Sequence, residues 1–182
     1  MSDLTWTHEE TPMWDEDKRR VIGGAPSGAF VLPFKDGQVL PGDWFSARDA
    51  DGTVVGYGRL DTTWGGDAEI LLAVDPDRQQ QGVGSFVLGH LEDEAAARGI
   101  NYVHNTIREH DNRDLVHDWL VVRGFTGSSH SELRKRVRST PAEPQRRTPR
   151  PAEEYDVTAD PGGRPPGHEE SGGYVNLDEH RY

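Results

Sequence analysis

A glycine-bearing loop between an apolar run and an amphipathic segment restricts the fold of this chain more than any other feature. The loop, residues 79–84, reads Gln-Gln-Gln-Gly-Val-Gly, and residues 68–74 before it are apolar enough for a strand buried on both faces. Residues 84–98 follow with apolar side chains at helical spacing: Val87, Leu88, Leu91 and Ala95. Residues 101–107 form the next predicted strand. This strand–helix–strand order predicts a parallel pair joined by a right-handed crossover.

The loop has the chemistry of an anion site. The first N–H groups of a helix have no partner within the helix, and the helix dipole favours negative charge beside them. Gly82 and Gly84 carry no side chains, so a phosphate can approach the backbone. The loop is not a Walker loop, because no Lys-Ser/Thr pair follows, and its glycine spacing differs from the dinucleotide fingerprint. A tight strand-to-helix turn that binds nothing is the alternative interpretation.

The remaining segments predict the rest of an α/β fold. Residues 4–8 alternate as a short strand, and Thr11 before a proline predicts the N-cap of a helix. Residues 44–48 and 53–60 predict a hairpin. A further helix from about residue 112 to residue 123 precedes one or two final strands. We therefore expect a mixed, mostly antiparallel sheet with helices on both faces.

Composition divides the chain into two regions. Apolar residues make up only 33% of the 182, so part of the chain is expected outside the core. Residues 139–182 contain seven prolines and five glycines, a density typical of disorder. We expect a folded domain in residues 1–138 and a Pro- and Gly-rich, disordered tail in residues 139–182. Residues 174–182 end the tail with larger apolar groups, which indicates either a motif for a partner protein or a featureless solubilising end.

Charge and composition argue against several classes of protein. The net charge of −12 disfavours a nucleic-acid binder. No run of 18 apolar residues exists, so we expect no membrane-spanning helix. The absence of cysteine excludes disulfides and cysteine nucleophiles, and it permits a cytoplasmic location, which we expect. The eight histidines lack ligand spacing, so we expect no metal.

The order of these elements around a Gln-x-x-Gly-x-Gly loop, with a later helix that ends in Gly124-Phe125, resembles the GNAT superfamily of acyl-CoA-dependent N-acetyltransferases. The resemblance covers roughly residues 41–138, and residues 4–21 fit the family's opening strand and helix. It implies transfer of an acetyl group from acetyl-CoA to a primary amine by direct attack. A non-catalytic binding or regulatory module with the same fold is the alternative, and an acyl group other than acetyl is a third possibility.

The resemblance also implies which residues bind the coenzyme. The backbone of residues 79–85 would hold the pyrophosphate, and the strand edge at residues 72–74 would pair with the pantetheine arm. The implied coenzyme residues are Leu72, Ala73, Val74, Gln79, Gln80, Gln81, Gly82, Val83, Gly84, Ser85 and Asn112.

Two carboxylates are candidates for the general base that the reaction needs. Glu69 lies on the strand before the loop, where members of the resembling family often carry the base. A half-exposed strand glutamate is the alternative reading of Glu69. Asp67 is the second candidate, although an aspartate after two glycines is more often a turn residue.

The general acid is harder to assign, because the tyrosine usual in the family's later helix is missing. Counting forward from Asn112 places Trp119 at that position, and counting back from the Gly-Phe pair places Leu120 there. His117 lies one turn away and is a candidate, since histidine titrates near neutral pH. An ordinary surface or packing histidine is the alternative.

The acceptor is expected to be a small cationic amine or a protein lysine. The first helix, the segment of residues 23–42 and the turn at Trp64 would form its walls. These walls carry an acidic set that would attract a cation: Asp15, Glu16, Asp17, Asp36 and Asp43. General surface acidity explains the same residues equally well. Trp44 and Trp64 would either line this pocket or pack in the core, and packing is the commoner use of such residues.

Overall fold

Within residues 3–129 and 132–137, which are those that the computed structural model describes, seven strands form one sheet. The strands are β1 (Thr5–Glu9), β2 (Asp43–Arg48), β3 (Val54–Thr62), β4 (Asp67–Val74), β5 (Tyr102–Thr106), β6 (Thr126–Ser129) and β7 (Glu132–Arg136). The helices of the same residues are α1 (Glu16–Val21), α2 (Val83–Ala97) and α3 (Arg113–Val121). The predicted tail, residues 139–182, lies outside the described residues.

The sheet joins an antiparallel meander to one parallel pair. Strands β1 to β4 are neighbours in chain order, and each neighbouring pair is antiparallel. Strand β5 pairs with β4 in parallel, and α2 connects the two. Strand β7 lies antiparallel between β5 and β6. The predicted mixed, mostly antiparallel sheet is confirmed.

The start of α1 differs from the N-cap predicted at Thr11. Met13 forms a β-bridge to Val39, so the chain stays extended beyond Thr11. The helix begins at Glu16, because the Asp15 side chain accepts a 2.9 Å hydrogen bond from the N–H three residues on. None of the helices in the described part of the chain is long and apolar enough to cross a bilayer.

Helices cover both faces of the sheet, as expected. On one face α2 packs closely on β3, where Gly56 and Gly58 leave room for it. A Cβ on Gly58 would lie 3.0 Å from Leu91 of α2. Side chains alternate between the faces of a strand, and Tyr57 accordingly belongs to a second core cluster on the other face, together with Val21 of α1. These contacts fix the position of α2, and therefore of the loop before it.

The parallel pair separates after three residue pairs, of which the last is Glu69 with His104. Beyond it, the side-chain amide of Asn105 donates a 2.9 Å hydrogen bond to the carbonyl of Ile70. Among the described residues, the rest of β4 has no strand partner on this side. A wedge therefore opens between β4 and β5, with the edge of β4 facing into it.

Candidate functional site

A cavity of about 760 Å³ occupies this wedge. Its lining includes the glycine loop at Gln79 and Gly82, the edge of β4, and Glu69. Trp119 of α3 lines it as well, as do residues of the segment 25–32 that follows α1. A helix start, an unpaired strand edge and a carboxylate thus open into the same space.

The glycine loop turns twice through left-handed backbone before α2 begins. A 3-10 turn, Pro76–Arg78, follows β4, and then Gln80 (φ 61°) and Gly82 (φ 86°) adopt that backbone. The first hydrogen bond of α2 runs from the N–H of Phe86 to the carbonyl of Gly82 (3.0 Å), so the earlier N–H groups have no partner within the helix. A Cβ on Gly82 would meet no protein atom within 4 Å. The open backbone and the positive helix end suit a phosphate group.

Ion pairs anchor the segment between β4 and the glycine loop, and none of the paired residues lines the cavity. Asp75, which is buried, pairs with Arg20 of α1. The hydrogen bond to Asp17, together with the charge of Asp75, raises the pKa of Arg20 above its usual value. Arg78 donates to Asp49 at 2.8 Å. The one arginine of the 3-10 turn is therefore already engaged by a carboxylate of the protein.

Arg123, just after α3, faces the start of α2, and the sequence argument missed it. Its guanidinium donates to the hydroxyl of Ser85 and to the carbonyl of Trp119, both at 2.9 Å. It also lies 3.8 Å from the centre of the Trp119 ring. The indole in turn packs over Gly84, where a Cβ would lie 3.3 Å from the ring. The sequence signal for this arrangement is the spacing of four residues between Trp119 and Arg123, which places them about one turn apart at the end of α3.

Glu69 lies in the cavity beside Arg59 of β3. Arg59 Nη2 is 3.7 Å from the Glu69 carboxylate and 3.5 Å from that of Asp61. The Arg59 side chain is 13% exposed, whereas that of Glu69 is 37% exposed. His104 is the register neighbour of Glu69 on β5, and its Nδ1 is buried without a hydrogen-bond partner in the described structure. The carboxylate is therefore accessible from the cavity, while the guanidinium beside it is nearly covered.

The structure brings most of the sequence-predicted site residues to this cavity. The residues that line it are Glu69, Leu72, Ala73, Val74, Gln79, Gln80, Gly82, Gly84, Ser85 and Asn112. Gln81, Val83, Asp67 and His117 do not belong to the lining described. The ring of His117 instead lies 3.1 Å from the carboxylate of Asp118.

The acidic set expected around the acceptor does not line the cavity. Four of its five members form ion pairs elsewhere: Asp15 with Lys18, Asp17 with Arg20, Asp36 with Arg19, and Asp43 with Arg98. Trp64 is fully exposed and also lies outside the lining, whereas Trp44 is buried in the core. Within the residues that the structure covers, no group of three or more histidine, aspartate or glutamate side chains could hold a metal ion.

Comparison with known proteins gives both sequence and fold relatives. Two mycothiol acetyltransferases match: one from Clavibacter michiganensis subsp. michiganensis is 39% identical over 90 residues, and one from Actinosynnema mirum is 35% identical over 107 residues. The matches cover 41% and 54% of this chain, but only 29% and 36% of those proteins. The chain thus spans about a third of the length of the curated relatives it matches.

Solved structures share the fold at low sequence identity. The ribosomal-protein-S18-alanine N-acetyltransferase from Escherichia coli superposes with a TM-score of 0.52 at 18% identity, covering 77% of this chain and 98% of that one. N-acetylglutamate synthase from Neisseria gonorrhoeae, complexed with coenzyme A and L-arginine, gives a TM-score of 0.53 at 18% identity, covering 75% and 34%. The acetyltransferase (GNAT) family matches residues 5–125, which is most of the chain. The chain therefore belongs to the GNAT acetyltransferase family.

Proposed function

We propose that this protein transfers an acetyl group from acetyl-CoA to a primary amine by direct attack, without a covalent enzyme intermediate. One observation carries the proposal: the glycine loop and the Glu69 carboxylate open into the same cavity. The loop suits a phosphate group and the carboxylate suits a proton acceptor. Membership of the GNAT acetyltransferase family supports this pairing.

The residues present fit the coenzyme. The backbone from Gln79 to Ser85 offers free N–H groups, and the open space beside Gly82 leaves room for a phosphate. The edge of β4 at Leu72, Ala73 and Val74 lines the cavity without a strand partner there, which suits an extended amide chain such as pantetheine. When bound, acetyl-CoA supplies a thioester carbonyl that a neutral amine can attack.

Glu69 has the properties of the base. The amine must lose a proton as its nitrogen bonds to the acetyl carbon and the carbon–sulfur bond breaks, and Glu69 takes that proton directly or through one water. The thiolate that leaves is protonated from solvent. Arg59, 3.7 Å away and largely buried, pairs with the carboxylate and helps to hold it in place.

The acceptor that we propose is a cationic amine, either a small molecule or a protein lysine. Near Arg59, the carboxylates of Glu69 and Asp61 together leave one uncompensated negative charge. That charge attracts an ammonium group before it is deprotonated. The sequence relatives are named mycothiol acetyltransferases. Two fold relatives are named as an N-acetylglutamate synthase and a ribosomal-protein-S18-alanine N-acetyltransferase, so the names indicate acceptors of several kinds.

One observation favours a second candidate, a non-catalytic module that binds the coenzyme. No tyrosine belongs to the cavity lining in the described part of the chain, and Trp119 and Leu120, the two candidates for the family's tyrosine position, both line it. An indole N–H donates a hydrogen bond but does not give up its proton at neutral pH. Water can protonate the leaving thiolate without an enzymic acid, so the proposal of catalysis stands beside this alternative.

Thiol release from acetyl-CoA, measured across a panel of amines together with a thermal shift, separates the two candidates. Turnover supports the transferase, and a thermal shift without turnover supports the binding module. The absence of both turnover and thermal shift contradicts both candidates. Within the transferase, Glu69→Gln should lower the rate mainly at low pH, where the acceptor is protonated. The matched control is Glu132→Gln on β7, an exposed residue that does not line the cavity. Equal pH profiles for both variants would remove Glu69 from the mechanism.

We also propose that residues 1–138 form the transferase domain of a cytoplasmic protein, and that residues 139–182 serve as a tail that binds a partner protein. The proline and glycine content of the tail supports this division. Truncation after residue 138 should keep coenzyme affinity, and deletion of residues 174–182 alone should abolish partner capture in a pull-down. If the variant that lacks residues 174–182 still captured the partner protein, the proposal of a partner-binding motif in those residues would be contradicted.

A further inference from the structure

The glycine loop itself contains no cationic side chain to add to its helix N-terminus. Residues 79–81 are three neutral glutamines. Arg78 precedes them, but its guanidinium donates to Asp49 at 2.8 Å. The whole chain carries a net charge of −12, so its general field repels a polyanion such as coenzyme A. A cation from another element would strengthen phosphate binding at the loop.

Arg123 occupies the position where such a cation would act. It lines the cavity, and its Nη2 lies 2.9 Å from the hydroxyl of Ser85, the third residue of α2. The guanidinium is therefore next to the N–H groups at the start of the helix. Stacking on the Trp119 ring and a hydrogen bond to the carbonyl of Trp119 fix its orientation. No carboxylate pairs with it within the described structure.

The other arginines of the cavity lie at different places. Arg59 of β3 faces Asp61 of the same strand and Glu69 of β4. Arg108 is exposed and follows the end of β5, across the wedge from the glycine loop. Neither contacts the first turn of α2 through any hydrogen bond between described residues. Arg123 is the arginine whose contacts reach that turn.

We propose that Arg123 binds the pyrophosphate of the coenzyme from α3 and so replaces the charge that the loop lacks. Trp119 acts as a positioning residue that holds the guanidinium over the loop. This inference rests on the proposed function, because it assumes that the phosphates of coenzyme A occupy the loop. It adds a specific contact residue that neither the loop motif nor the sequence spacing had assigned.

The test compares Arg123→Gln and Arg123→Lys with the full-length protein by calorimetric titration of coenzyme A and of dephospho-coenzyme A, which lacks the 3′-phosphate. Loss of one charge-assisted contact should weaken both ligands by about tenfold in Arg123→Gln. Arg123→Lys should lose less, since it keeps the charge. The matched control, Arg136→Gln, removes the same charge from an exposed position on β7 that lies outside the cavity lining, and its affinity should match the unaltered protein.

Salt dependence separates a direct contact from a structural role. Affinity of the unaltered protein should fall more steeply with added salt than affinity of Arg123→Gln, because the variant has one fewer charge facing the ligand. Unfolding temperatures without ligand check that both variants fold. Equal affinities for Arg123→Gln and the unaltered protein would overturn the inference alone, as would equal losses for the Gln and Lys variants. A loss confined to coenzyme A would assign Arg123 to the 3′-phosphate and overturn the pyrophosphate contact. Failure of the unaltered protein to bind either ligand would overturn the proposed function as well.

Discussion

Replacement of Gly82 by alanine separates the strain of the loop from its role in binding. Gly82 has φ 86° and ψ −5°, a left-handed conformation that alanine adopts at a cost of about 1–2 kcal/mol. A Cβ there meets no protein atom within 4 Å, so no steric cost is added. For a chain of this size, that loss lowers the unfolding temperature by about 2–4 °C per kcal/mol. The expected decrease for Gly82→Ala is therefore about 2–8 °C.

Gly99 provides a matched control, because alanine there would adopt a similar left-handed backbone away from the proposed ligand site. It lies after α2 with φ 73°, and a Cβ there also meets nothing within 4 Å. It lies outside the cavity lining, at the opposite end of the helix from Gly82. Gly99→Ala should therefore show a similar decrease in unfolding temperature and an unchanged affinity for coenzyme A.

The affinity for coenzyme A shows whether the ligand contacts the backbone at Gly82. In Gly82→Ala, the methyl group enters the space that we assign to a phosphate, and affinity should fall by at least about tenfold, the loss of one strong contact to a charged ligand. Calorimetric titration and thermal unfolding of the two variants measure both quantities. Equal stability losses with full affinity in both variants would show that the ligand does not contact the backbone at Gly82. An unchanged unfolding temperature in Gly82→Ala would refute the strain argument.

Three further changes test the packing of the fold. Gly58→Val places methyl groups against Leu91, about 3.0 Å from the new Cβ, and should lower the free energy of unfolding in urea by about 1–3 kcal/mol. Lys18 is buried with Nζ 2.7 Å from Glu9, so Lys18→Met should destabilise by about 3 kcal/mol, and Glu9→Gln added to it should recover part of that loss in a double-mutant cycle. Burial raises the pKa of Tyr57, so its contribution to stability is complete below the pKa of about 10 in the unfolded chain and is lost as the pH rises beyond that value. Tyr57→Phe should therefore reduce the fall in the free energy of unfolding between pH 9 and pH 11. An equal fall in both proteins would contradict this.

Much of the fold follows from local patterns in the sequence. The apolar run of β4, the glycine loop and the stripe of α2 lie next to each other in the chain, so their order alone predicts the parallel pair with β5. The start of α1 was predicted wrongly, because the contact that keeps the chain extended at Met13 is made with the distant Val39. Single-sequence patterns do not contain contacts between distant segments.

The candidate site was predicted less completely, for the same reason. Glu69 could be chosen from its place on the strand, but its neighbour Arg59 comes from a different strand and its pairing depends on register. Arg123 comes near the loop only when the end of α3 meets the first turn of α2 in the folded chain. The predicted acidic rim does not line the cavity, and Asp17 and Asp36 are paired with arginines of α1, which the count of charges alone does not show.

The two glycines of the loop illustrate how one motif can hold two different physical requirements. Gly84 lies against the protein itself, since a Cβ there would be only 3.3 Å from the Trp119 ring, a tight contact. Gly82 is needed for its left-handed backbone, and the space beside it is open. The interpretation of a tight turn therefore accounts for Gly84, whereas the interpretation of a ligand site has its physical basis at Gly82. The Trp119 ring also stacks with Arg123. Trp119 therefore both contacts Gly84 and positions Arg123, the proposed phosphate contact.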